Sequence, residues 1–349
     1  MKNARQFRFW VPLTLTILVF LLFARTTTAQ ELSWDEEPDS TVALQLDGVD
    51  LWRFHYGEEV EKPYFHPIAP AGGPTFTADA PQDHPWHYGL WFSWKFINDR
   101  NYWEFNRVTG LSEGMTEWSN VRIERGDDFS ATIRLDVVYI DADSTEDRYA
   151  ALNDRTTIDE GVGIEKREPD QEPVLTESRL IEIGSPREDG CVAIDWDMTF
   201  TAGEEDVELD RTPIPGEPGG VGYGGYAGLS LRMAEAFTER EAVSIDGEIE
   251  FGDQNRYRGL HAAMDYSGVI EENLGGIAIL DHPENPRHPS AWYVIRDRVM
   301  SYYSPAFICY EPYELKAGES FTLRYRVIAH NDRWGTEELE TESEAYGDQ

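Results

Sequence analysis

Val192-Ala193-Ile194-Asp195-Trp196-Asp197-Met198-Thr199-Phe200 reads as a strand with one wet face and one dry face. Val192, Ile194, Trp196, Met198 and Phe200 alternate with small or polar residues, the period of two that sends successive side chains to opposite faces of a sheet. A dry face of that size must be covered by a second layer. The pattern returns near the C-terminus, where Phe321, Leu323, Tyr325 and Val327 interleave with Thr322, Arg324 and Arg326. Ala131 to Ile140 and Val174 to Ile183 read as further strands, and Gly, Pro, Asn and Asp punctuate short β segments from Ala43 onward. The expectation is an all-β fold, an antiparallel β-sandwich. At most one short helix is expected, over Arg232 to Arg240, where Met233, Ala236 and Phe237 have helical spacing.

Outside this core the chain divides by composition. Lys2, Arg5 and Arg8 precede an uncharged apolar run from Phe9 to Phe23, and Thr27-Thr28-Ala29 follows it, so residues 1–29 read as a secretory signal peptide. The run is shorter than the roughly 20 residues of a spanning helix, and no later stretch approaches that length. A secreted or periplasmic protein with no membrane contact after cleavage is expected. Residues 30–42 read as a flexible acidic leader, 43–334 as a single domain with a charged surface insertion at about 141–173, and 335–349 as an acidic tail.

The 349 residues hold 66 acids against 30 Lys+Arg, a formal charge of −36. Four of those bases lie in the signal segment, so removing it leaves 26 bases and a charge of −40. Nucleic acid and anionic membranes would be repelled and are excluded as partners. The acids run from Glu31 to Asp348, a uniformly solvated surface suited to high salt. With only two cysteines, Cys191 and Cys309, the fold rests on its hydrophobic core.

Two short stretches carry the chemistry. Asp83-His84-Pro85-Trp86-His87-Tyr88-Gly89-Leu90-Trp91, continuing to Asn98, Trp103 and Glu104, mixes imidazoles and a carboxylate with flat aromatic faces. Asp281-His282-Pro283-Glu284-Asn285-Pro286-Arg287-His288-Pro289, followed by Trp292, has the same character. Together they hold four of the eight histidines. Prolines beside three of them imply turns, and the two turns are expected to converge on one site. Pro85 disfavours helix at His84, so the H-x-x-H spacing is not that of a helical zinc protease. His84, His87 and His282 could instead hold a divalent metal (zinc, copper, iron or calcium), with His66, His288 and Asp83 as further ligands. Without metal, a histidine beside Asp83 can act as general acid or base. Tyr223-Gly224-Gly225-Tyr226, in a Gly- and Pro-rich segment, suits a loop over a pocket with stacking aromatics.

At these residues the chain resembles the secreted bacterial PmoA-like family. The resemblance rests on Lys62-Pro63-Tyr64 with His66-Pro67, Gly72-Gly73, the Asp83–Trp91 stretch, Tyr226-Ala227-Gly228-Leu229 with Arg232, Gly276 to Pro289 with Trp292, and Leu323 to Val327 with His330. It spans about residues 50 to 332, and departs from the family pattern at Trp86 and Tyr88, where His and Arg would be expected. The family is labelled after a methane oxygenase subunit and is commonly encoded near carbohydrate-processing genes. A weaker resemblance, in the placing of the two His turns on an all-β chain, is to galactose-mutarotase-like supersandwich proteins. It implies a sugar site worked by acid and base groups.

The reading is a carbohydrate-active protein, an enzyme of lyase, epimerase or hydrolase type. His84, His87, Asp83 and His282 are its candidate catalytic residues. His66, Trp91, Asn98, Trp103, Tyr226, Arg232, Asn285, Arg287, His288 and Trp292 are its candidate contacts to a saccharide or oligosaccharide. A non-catalytic glycan-binding module and a metal-dependent enzyme are the alternatives.

Overall fold

The computed structural model describes residues 31–106, 112–141 and 172–347. Val192–Ala202 is a strand whose residues alternate buried and half-buried along its whole length. It pairs antiparallel with Leu175–Ile183 on one side and Ser320–Asn331 on the other, which sets Trp196 opposite both Ile181 and Tyr325. These strands lie at the middle of a nine-stranded sheet that runs Gly247–Glu248, Thr238–Ser244, Ala263–Ile270, Asn273–Asp281, Ser320–Asn331, Val192–Ala202, Leu175–Ile183, Ala131–Asp141, Gly114–Arg125. A second nine-stranded sheet runs Leu32–Glu37, Thr41–Leu46, Val49–His55, Tyr64–Ile68, Leu90–Ser93, Gly228–Arg232, Ser301–Pro305, Ala291–Arg296, Arg256–Leu260. A small sheet of four short strands, Tyr313–Leu315, Val207–Asp210, Phe96–Ile97 and Arg100–Asn101, completes the fold. The architecture is an antiparallel β-sandwich.

Aromatic side chains from the two large sheets meet in the core. Phe65 lies edge-on to Trp196 with ring centroids 5.8 Å apart, Phe92 meets Phe200 at 5.2 Å, and Tyr266 meets Tyr303 at 5.6 Å. Trp52, Trp94, Trp196 and Trp292 are fully buried there, so four of the indoles are structural. Cys191 and Cys309 are buried as free thiols in different clusters of the core.

Three local expectations are corrected. Within the segment expected as a leader, Leu32–Glu37 and Thr41–Leu46 pair as strands, and Trp34 packs edge-on against Trp52 at 5.8 Å. The acids Asp35, Glu36 and Glu37 are the outer positions of a strand that composition had disguised. The helix expected over Arg232–Arg240 is absent, because Arg232 ends one strand, Ala234 to Phe237 turns, and Thr238–Ser244 begins the next. Met233 and Phe237 are buried by sheet packing, which their helical spacing mimicked. The acidic tail instead forms a helix, Thr336–Gly347, that buries Leu339 and Tyr346 against Ala278, Leu280 and Ile328. Glu337 and Glu338 in its first turn favour the positive end of its dipole, and Glu342 pairs with Arg187. Residues 1–29 and nearly all of the expected insertion at 141–173 lie outside the described residues.

The helix is a packed element of the domain. Leu339→Ala is expected to lower stability by about 2 kcal/mol, read as an earlier urea midpoint. An unchanged midpoint would mean that the helix does not hold the sheet beneath it.

Candidate functional site

Pro85 occupies the second position of a tight turn in which His87 N–H bonds the carbonyl of His84 at 3.0 Å. Proline's fixed φ suits that position. The turn brings the two imidazoles, first and fourth residues of the turn, into a stack 4.7 Å apart. The chain then enters the second sheet at Gly89, whose φ is +29° and where a Cβ would lie 2.1 Å from the carbonyl oxygen of Phe65. Leu90–Ser93 continues as a strand and pairs with Gly228–Arg232. Arg232, at the end of that neighbour, therefore arrives beneath the turn.

The guanidinium of Arg232 is fully buried and donates from Nη2 to both oxygens of Asp83, at 2.9 and 2.8 Å. Asp83 Oδ2 also accepts from His84 Nδ1 at 2.8 Å. Burial alone would raise the Asp83 carboxyl, but the bonds from Arg232 and His84 and the charge of Arg232 outweigh it and hold it below the usual carboxylate range. An ionised Asp83 fixes the proton of His84 on Nδ1 and leaves Nε2 free to work. His87 is deeper. Arg232 Nη1 lies 3.3 Å from its Nδ1, which must therefore accept, so the proton sits on Nε2 and the ring is neutral. Burial, with the nearby His84 and Arg232, pushes His87 well below its ordinary value.

A cavity of about 260 Å³ opens beside these rings. This is near the small end of the roughly 300–1,000 Å³ of ligand clefts, room for one sugar-sized ring. His84, Trp86 and His87, whose rings touch, line it with the Trp103–Tyr226 pair and with Tyr293, Ile295, Met300 and Tyr302. Trp91 is buried behind His87, 5.1 Å away between ring centroids. Tyr223 stands at the cavity with more than half of its surface exposed.

Glu104 faces into the same cavity. It is paired with Lys95, accepts from Tyr226 OH at 2.9 Å on Oε1, and from Asn101 Nδ2 at 2.6 Å on Oε2. Burial opposes its ionisation, but the charge and hydrogen bond of Lys95, with Asn101 and Tyr226, pull it below the ordinary carboxylate value. Glu104 is thus an ionised carboxylate in a largely aromatic pocket.

The second turn does not converge on the first. Asp281 is buried and accepts from His288 Nδ1, Ser290 N and Ser290 Oγ, each at 2.8 Å, and from Asn285 Nδ2 at 2.7 Å. Asn285 also bridges to the backbone of Arg324, and His282 packs edge-on against Tyr346 of the C-terminal helix. Arg287 donates to the carbonyls of Glu311 and Pro312 and lies over the Phe307 and Tyr313 rings. Trp292 is a core residue stacked on Tyr303, with its Nε1 donating to the carbonyl of His261 at 2.7 Å. These bonds tie the turn to itself, to the backbone of Arg324 and to the segment at Glu311 and Pro312. His282, Asn285, Arg287, His288 and Trp292 do not line the cavity.

Two further candidates are also elsewhere. His66 Nδ1 bonds Thr77 Oγ1 at 2.9 Å, and Asn98 supports a turn by accepting from Glu208 N at 2.8 Å. The cavity thus gathers His84, His87, Trp103 and Tyr226, with Asp83, Arg232 and Trp91 directly behind. It adds Arg256, Tyr293 and Tyr302, which sequence reading did not mark, together with Glu104 and Tyr223, which it placed in the chemical stretch and in the aromatic loop without a role of their own.

The same geometry bears on metal binding. Among the described residues no group of three or more His, Cys, Asp or Glu side chains is arranged to hold an ion. His282 lies in the other turn, Asp83 is bonded to Arg232, and His87 Nδ1 faces the same guanidinium. The set expected for zinc, copper, iron or calcium does not fit.

A pH effect follows from His87. Its folded value is depressed while the unfolded one stays near 6.5. Stability from this group is therefore complete above about pH 6.5 and falls as acid protonates the unfolded chain. The stability advantage of the native protein over His87→Gln should shrink as pH falls from 7 to 5, measured by urea unfolding at each pH. An advantage that grows towards acid would contradict the neutral, acceptor role of Nδ1.

Fold and cavity together define, among the described residues, a β-sandwich protein with an aromatic site built on the second sheet. A model described as a family of unknown function (DUF6807) matches residues 41–344, and the chain belongs to that family. The description does not carry the methane-oxygenase name expected from the histidine motifs. Comparison with curated proteins gives no match. Among solved structures the chain is similar to an alpha-galactosidase from Lactobacillus brevis, at 9% identity and a TM-score of 0.40, over 86% of this chain but only 39% of that one. It is also similar to a galactose mutarotase related enzyme from Lactobacillus acidophilus, at 10% identity and a TM-score of 0.34, over 86% of this chain and 97% of that one.

Proposed function

We propose that this protein is a secreted or periplasmic carbohydrate-active enzyme that moves a proton at a sugar carbon or hydroxyl. The observation that carries the reading is an Asp–His pair, Asp83 behind and His84 lining an aromatic cavity that also holds a carboxylate, Glu104. The aromatic walls suit the apolar faces of a sugar ring, and the fixed polar groups suit its hydroxyls. His84 Nε2 is the group that takes or gives the proton, and Asp83 stabilises the imidazolium formed. Glu104, ionised, accepts a proton or stabilises positive charge developing on the ring. Lyase, epimerase and hydrolase chemistry can each be run by an acid and a base so placed.

The test is a panel of mono- and oligosaccharides incubated with the purified protein in D₂O and followed by proton NMR. Deuterium entering a ring C–H, interconversion of anomers or epimers above the buffer rate, or bond cleavage would each support the reading and name the reaction. Binding without any of these, weakened by Tyr223→Ala but not by His84→Ala, would sink the enzyme and leave a glycan-binding module. Tyr223→Ala is expected to weaken saccharide binding by roughly tenfold, the worth of one stacking contact.

A further inference from the structure

Arg256 enters the cavity wall from the start of the edge strand Arg256–Leu260. Its Nε donates to Tyr293 OH at 3.0 Å, and its Nη1 to Gln254 Oε1 at 2.8 Å and the Gln254 carbonyl at 3.3 Å. All three acceptors are neutral. Arg53, Arg211, Arg324 and Arg326, by contrast, each meet a carboxylate within 3.1 Å, as a chain with 66 acids would lead one to expect. Among the described residues Arg256 has no acid partner, and its Nη2 has no acceptor.

The other charges at the cavity cancel. Asp83 is matched by Arg232, and Glu104 by Lys95. What is left is one uncompensated guanidinium, held at two of its three nitrogens and turned to a pocket that is otherwise aromatic. Protein-wide negative charge does not alter this at contact distance, because salt screens it beyond roughly 8–10 Å.

We infer that the substrate is an acidic saccharide whose anionic group, the carboxylate of a uronic acid or a sulfate ester, binds Arg256. The inference rests on the saccharide reading above and names its substrate class. An anion supplies what Nη2 lacks, and a charge-assisted bond is stronger than one to a neutral hydroxyl. The ring is thereby oriented, with its acidic end at Arg256 and its faces against the aromatic walls.

Twin sugars test this by isothermal titration calorimetry on the purified protein: galacturonate with galactose, glucuronate with glucose, and glucose 6-sulfate, each also as a short oligomer where one exists. Native protein, Arg256→Gln and Tyr223→Ala are compared. The expected result is acidic members binding roughly tenfold tighter than their neutral twins. Arg256→Gln should erase that preference with little change for the neutral twin, while Tyr223→Ala weakens both alike. Whether uronates or the sulfate ester show the preference identifies the group. Twins that bind alike, or an Arg256→Gln variant that weakens both equally, would overturn the inference and leave the saccharide reading standing. No binding by any sugar, with Tyr223→Ala without effect, would remove both. Arg256 is partly exposed, so the variant is expected to stay folded, checked by its unfolding midpoint.

Discussion

Arg179→Ala is expected to lower the unfolding free energy by about 3–5 kcal/mol, a large part of the roughly 5–15 kcal/mol that holds a domain together. Arg179 and Glu177 point into the core from one face of Leu175–Ile183, with side chains 1% and 0% exposed. Arg179 donates to both Glu177 oxygens, Tyr139 OH donates to Glu177 at 2.7 Å, and the guanidinium lies 5.3 Å from the Trp196 ring and 5.9 Å from Phe92. Removing the cation strands a carboxylate between two sheets with no water to solvate it. The control is Arg179→Met with Glu177→Leu, which removes both charges and keeps the volume. It should recover most of the loss, because desolvating an ion pair offsets much of its attraction. Urea unfolding of the three proteins decides it. A double variant as unstable as the single would mean that the lost packing of Arg179 on the two rings, and not the stranded charge, is what matters.

That pair also shows where sequence reading reaches and where it stops. In Leu175-Thr176-Glu177-Ser178-Arg179-Leu180-Ile181-Glu182-Ile183 the buried phase is Leu175, Glu177, Arg179, Ile181 and Ile183. The strand was legible from its ends. The two charges in its buried phase were not, because burying them depends on each other and on Tyr139, which comes from the neighbouring strand. In the second strand of the core, Val192–Ala202, every buried position is apolar, so periodicity alone sufficed. The tail failed for the opposite reason. Leu339 and Tyr346 are the two large apolar residues in a dozen of which five are glutamates, and the apolar patch of Ala278, Leu280 and Ile328 gives them something to pack on.

The site divides the same way. Asp83, His84 and His87 are close in sequence, so a turn with proline is enough to gather them. Arg232 reaches them because Gly228–Arg232 pairs with Leu90–Ser93, a register that composition does not encode. The second histidine turn has the same residue types, yet Asp281 takes four hydrogen bonds from within it and becomes a structural knot. Residue chemistry cannot separate the two. The count of internal partners can: the first turn has a cavity beside it, and the second has a helix.

Replacing His84 by Ala is therefore expected to lower turnover of the saccharide identified by NMR by about 10²–10⁴-fold, with substrate affinity changed little. The side chain is one-third exposed and bonded only to Asp83 among the contacts it makes by hydrogen bonding, so its loss should leave the fold intact. Glu104→Gln should also lower turnover, by about 10²-fold or more, since the neutral amide can neither accept a proton nor stabilise a developing cation. It will lower stability too, because Lys95 loses its counter-charge in a buried setting. Its effect on kcat must be read on protein shown to be folded. The pH profile separates the two residues further. Glu104 lies below the ordinary carboxylate range, so it stays ionised through neutral pH and cannot set a limb of the rate curve near pH 6 or 7. A limb there that vanishes in His84→Ala would assign proton transfer to the imidazole. His84→Ala with native kcat and the native pH profile would show that the Asp83–His84 pair only braces the turn, and the proton would have to move through Glu104 alone.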